Sequence, residues 1–140
     1  MRTPIRTCFS IWVRDVSPQT GHIVSVQRSA GDNHLYVVVS DPRLPEVVIV
    51  NVTTKRRFSD VSCELCAGDH PFIQHDSCIS YAHAQVIALA LIENKLASGD
   101  VRLRDEFSSS LIHRIWEGAE RTRHLSNRCT DMLRKQSLIS

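Results

Sequence analysis

Apolar and polar positions alternate or cluster along this chain in a way that marks out its elements. Gly21 to Gln27 alternates, with Ile23 in phase with Ser25 and Val24 with Val26, which predicts a first strand. Arg28 to Asn33 reads as the loop after it. His34 to Ser40 is β-branched and aromatic throughout (Leu35, Tyr36, Val37, Val38, Val39), as expected of a strand buried on both faces. Asp41 to Pro45 must turn, because its two prolines fix φ and lack an amide donor. Glu46 to Thr53 repeats the buried pattern with Val47, Val48, Ile49, Val50 and Val52, so the two runs form a hairpin.

Periodicity is lost from Phe58 to Ser77, apart from a short strand around Cys63 to Leu65. A loop of this length is functional, or an Ω-loop packed by its own side chains. Apolar character returns from Cys78 to Ile92, where the first part alternates like a strand and the second half fits strand or helix. After a break at Ser98 to Asp100, Leu103, Phe107, Leu111 or Ile112, Ile115 and Ala119 recur at helical spacing, which predicts an amphipathic helix covering the sheet. The expected division is an N-terminal extension or edge strand over 1–20, a barrel plus helix over 21–120 and a basic tail over 121–140.

Composition refines this picture only in places. With 140 residues, 42% hydrophobic and 23% charged, one folded domain is expected. The run Cys8 to Val13 is too short for a signal peptide, and Val86 to Ile92 too short to span a bilayer, so a cytoplasmic protein without membrane contact is expected. Five cysteines, an odd number, read as reduced thiols. Net charge is only +2, but six Arg or Lys face three acids from His113 onward. That excess suits phosphates, an acidic partner, or simply a solvated helix end.

Candidate chemistry concentrates between Asp60 and Ile92, which holds three of the seven histidines and three of the five cysteines. His70, His75 and His83 can exchange protons near neutral pH. Cleavage of RNA needs a base for the ribose 2′-hydroxyl, an acid for the leaving 5′-oxygen, and donors for the charged phosphorane. Histidines would supply the first two, and Thr53, Lys55, Arg56 or Arg57 the third. Tyr81 adds a hydroxyl and a ring for stacking. Cys63, Cys66, His70, His75 and Cys78 offer enough ligands for zinc, but their spacing departs from common zinc patterns.

The strand beginning Gly21-His22-Ile23-Val24, the strand Leu35 to Ser40, the strand Val47 to Thr54 and the later helix together resemble the PemK/MazF-like ribonuclease toxins of bacterial toxin–antitoxin pairs. The resemblance spans about Gly21 to Ala119 and fits best at Val37-Val38-Val39-Ser40 and at the strand ending Thr53-Thr54. It implies an α+β, mainly β fold: a small SH3-like antiparallel barrel with a C-terminal amphipathic helix. It also implies a metal-independent, cofactor-free endoribonuclease, often a homodimer, neutralised by an antitoxin protein that occupies the RNA groove. Thr53 or Thr54 matches the family's hydroxyl, and Arg28 falls where the family has a basic residue in its first loop. The chain departs from the pattern at Asn33-His34, where the family carries Arg-Pro, and at Ser80 to His83, where it carries an acid. The expected catalytic set is therefore His70, His83, Thr53 and Tyr81, with Arg28, Lys55, Arg56, Arg57 and His75 binding RNA. The alternatives are a non-catalytic SH3-like binding module and a small zinc-binding domain.

Overall fold

The computed structural model describes residues 22–29 and 32–140, with the side chains of 22–34 and of Arg104 and Asp105 left aside. Strands β1 (His22–Ser29), β2 (Asp32–Val38), β3 (Glu46–Thr54), β4 (Glu64–Leu65) and β5 (Ser77–Ala88) come first. Helix α1 (Leu89–Ser98), strand β6 (Val101–Glu106) and helices α2 (Ser109–Arg121) and α3 (Asn127–Lys135) complete the chain. The strands form one curled antiparallel sheet in the order β4-β5-β3-β2-β1-β6. With its helices this is the expected α+β class, the small antiparallel barrel taking the form of a curled half-barrel.

Alternation along β2 and β3 explains why both strands read as apolar without interruption. Val37, Val39, Val48 and Val50 point into the larger core, which α2 and α3 cover through Leu111, Ile112, Ile115, Cys129 and Leu133. Tyr36, Val38, Val47 and Ile49 point the other way, into a second core closed by Ile92 of α1 and Val101. Ser40, fully buried where the hairpin turns, is satisfied by accepting from Val48 N at 2.8 Å.

Several boundaries differ from expectation. Strand β1 runs on to Ser29 and β2 begins at Asp32, so the loop expected over Arg28 to Asn33 is mostly strand, and Arg28 lies on β1. The apolar stretch after Cys78 splits into β5 and α1, and α1 ends at Gly99 in the left-handed conformation (φ 85°), its N–H bonded to Leu96 O. The helical spacing from Leu103 is coincidental: residues 101–106 are captured as β6 by pairing with β1, and the helix starts only after Ser108, whose hydroxyl caps Leu111 N. The basic segment after Arg121 carries α3, capped by Ser126, with Cys129 and Leu133 in the larger core. The extension expected over 1–20 lies outside the described residues. Among the described residues no helix is long and apolar enough to cross a membrane.

Candidate functional site

Strand β5 does not pair smoothly with β3. Ser80 stands opposite Asn51 and Gln85 opposite Ile49, so residues 81–84 face Val50 alone. Bulges of this kind re-aim side chains. Had β5 kept the Ser80–Asn51 register, His83 would have fallen opposite Val48, in the larger core. The slip instead leaves His83 exposed, turned back so that its Nδ1 lies 2.7 Å from Ser80 Oγ.

The register sets this pair among other polar groups. Ser80, Asn51 and, two pairs further, Thr53 opposite Cys78 alternate with Val50 and Val52, so they occupy the face turned away from the larger core. Thr53 is exposed, and Asn51 is 8% exposed. At the strand end Thr54 Oγ1 meets His75 Nε2 at 3.0 Å, and Lys55 Nζ donates to Glu64 Oε1 at 2.8 Å. That carboxylate raises the Lys55 pKa, first through the hydrogen bond and then through its charge. Arg56 and Arg57 follow in an exposed turn. The result is a polar strip from Ser80 and His83 through Thr53 to a basic loop.

Two expected site residues lie elsewhere. Tyr81, 1% exposed, points into the larger core and donates to Ile115 O at 2.7 Å, and burial pushes its hydroxyl pKa up. Its hydroxyl is so close to α2 that only a glycine, Gly118, fits the helix there: a Cβ would also meet Ser62 O at 2.8 Å and Cys63 Cβ at 2.9 Å. His70 is 4% exposed, with Nδ1 accepting from Phe72 N at 3.1 Å and its ring stacked on Phe72 and tilted against Phe107. Around it the loop folds on itself: Gly68 adopts φ 100°, Cys66 N donates to Asp69 Oδ2, and Ile73 N donates to His70 O. Arg28 is on β1, with its side chain outside the described residues.

The proposed zinc ligands do not assemble. Among the described residues no group of three or more His, Cys, Asp or Glu side chains could hold a metal. Cys63 and Cys78 are buried in separate settings from the exposed Cys66, and burial lifts the Cys63 thiol to about 11.

Sequence reading singled out His83 and Thr53 but not the role of Ser80 or Asn51. The spacing Ser80-x2-His83 was visible, but not the slip that folds one residue onto the other. A cavity of about 730 Å³ between β6 and α2 also went unforeseen; Phe107, His113 and Trp116 line it, and Trp116 Nε1 donates to Val39 O at 2.8 Å.

No protein-family model and no curated protein matches this chain. Among solved structures it is similar to a chain in the crystal structure of MazE-MazF (form III) from Deinococcus radiodurans. The match has a TM-score of 0.52 and 14% identity, and covers 79% of this chain and 100% of the other. At that identity the likeness is one of fold: the curled sheet with its helices is MazF-like.

Proposed function

We propose that this chain is the toxin component of a type II toxin–antitoxin pair, an endoribonuclease that needs no metal and is restrained by an antitoxin protein. The observation that carries this reading is the exposed His83 hydrogen-bonded to Ser80, which shares a sheet face with the exposed Thr53 two register pairs away, within a MazF-like sheet. With Nδ1–H donating to Ser80 Oγ, His83 Nε2 is free to accept a proton from a ribose 2′-hydroxyl. The resulting oxygen nucleophile attacks the adjacent phosphorus, and the P–O5′ bond breaks. The same proton passes from His83 to the departing 5′-oxygen, leaving a 2′,3′-cyclic phosphate and a 5′-hydroxyl. Thr53 Oγ1 donates to the phosphorane as its charge develops. Lys55, Arg56, Arg57 and His75 contact the backbone phosphates that position the strand. His70 and Tyr81, spent on the loop and the core, hold the frame rather than touch RNA.

The test is incubation of the full chain with labelled mixed-sequence RNA in excess chelator. Cleavage is expected, reduced about 10²–10⁴-fold in His83→Ala and about 10²–10³-fold in Thr53→Ala, with each variant folded by circular dichroism. Wild-type rates in folded His83→Ala would remove this assignment. RNA bound firmly but left intact by the wild-type chain would make it a binding module instead.

A further inference from the structure

A single exposed phenylalanine carries little information by itself. Phe58 comes with three further observations. It is 91% exposed, the most exposed of the large apolar side chains described. It does not dangle from a loose loop, since Ser59 N donates to Arg56 O at 3.2 Å and Arg56 N to Ser59 Oγ at 2.8 Å, closing a turn with Arg57 and Phe58 at its tip. The Arg57 guanidinium lies 5.3 Å from the Phe58 ring centroid, over its face.

Charge complementarity decides what suits this tip. Among the described residues neither Arg56 nor Arg57 has a carboxylate partner, whereas Lys55 beside them is paired with Glu64. An aromatic face next to two uncompensated guanidinium groups matches a ligand that is flat, apolar on its faces and anionic along its backbone. A protein surface offering an acidic side chain could meet the arginines but would leave the exposed ring face without a planar partner. The turn starts directly after β3, so Phe58 is at most about 17 Å along the chain from Thr53, a few nucleotides from the reacting phosphate.

We propose that Phe58 is a base-stacking residue that, with Arg57 and Arg56, grips an unpaired nucleotide flanking the cleaved phosphate and so sets where the strand lies on Thr53 and His83. This rests on the ribonuclease reading above. It adds a positioning contact outside the reacting groups, on a turn whose geometry is fixed before RNA arrives.

The experiment is fluorescence anisotropy of the full chain with a single-stranded RNA made uncleavable by 2′-O-methyl groups, read across a salt series, alongside cleavage of the unmodified RNA. Phe58→Ala is expected to weaken binding about 5- to 100-fold with an unchanged salt slope, and Phe58→Trp to restore it. Arg57→Ala is expected to lower the salt slope by about 0.7. An abasic nucleotide at the stacked position is expected to reproduce the loss in wild type and to erase the difference between wild type and Phe58→Ala. Wild-type affinity in Phe58→Ala, a loss indifferent to the abasic substitution, or a loss confined to capture of an antitoxin protein overturns the proposal. If Phe58→Ala binds and cleaves normally, only the stacking role falls; if the wild-type chain neither binds nor cleaves RNA, the ribonuclease reading falls with it.

Discussion

Tyr81 Oη donates to a carbonyl of α2 and sits against Cys63 at the point where Gly118 passes, so its proton is committed to packing. Tyr81→Phe removes that donor and leaves the ring in place. The expected cost is about 1–2 kcal/mol in urea unfolding, with RNA cleavage at the wild-type rate. Cleavage lost together with the hydroxyl in a folded Tyr81→Phe would return Tyr81 to the reacting set. Residue type made Tyr81, His70 and His83 equal candidates. What separates them is direction: Tyr81 meets Ile115 and His70 meets Phe107, partners more than thirty residues away that no local pattern reveals. Thr53 was legible because its place at the end of an alternating strand was legible too.

Helix α2 is the element that joins the sheet to the long loop. Its buried stripe of Leu111, Ile112, Ile115 and Ala119 covers the larger core, while Arg121 Nη2 donates to Ser62 O and Arg114 pairs with Asp69 across the loop. Gly118 lets this face come close. In a solvent-facing helix interior Gly→Ala stabilises by about 1 kcal/mol. Here Gly118→Ala is expected to destabilise by about 1–3 kcal/mol, because two of the three obstructing atoms, Ser62 O and Cys63 Cβ, belong to a loop pinned by Arg121; an unfolding midpoint that rose instead would show that the loop can retreat. The hairpin of β2 and β3 and the stripe of α2 could be read from alternation and helical spacing. Strand β6 could not, since Leu103 and Phe107 happen to fit a helix and only pairing with β1, some 80 residues earlier, decides otherwise.

At the scale of the molecule, one half-buried knot ties the loop to the end of α2. Asp60 accepts from Ser62 Oγ at 2.6 Å, Ser62 N at 3.0 Å and Thr122 Oγ1 at 2.6 Å. Burial alone would raise the Asp60 carboxyl, but these hydrogen bonds outweigh it and hold the pKa below the ordinary carboxylate value. A folded pKa lower than the unfolded one stabilises above the unfolded value and is lost as pH falls through the folded one. Stability is therefore expected to drop on acidification below about pH 4, and the drop should be shallower in Asp60→Asn; equal acid profiles for the two would mean that Asp60 contributes nothing to the linkage. Overall charge, +2, had little to say about partners. What matters is where charge is left uncompensated, and that depends on which carboxylates the fold brings to which cations: among the described residues, Glu64 to Lys55 and Asp69 to Arg114, but none to Arg56 or Arg57.

The slip in β5 also says what inheritance can and cannot vary here. Because its offset is an odd number of residues, Val86 faces the larger core and Ile87 the smaller one. Deleting one residue between Tyr81 and Gln85 while the slip keeps its length would slide every later residue of β5 by one, exchange those two faces and misplace the start of α1. Exposed positions such as Ala82 are free to drift in identity, whereas the number of residues in the segment is not. In a lineage of such chains the segment's length would be the lasting signature, more durable than any of its letters.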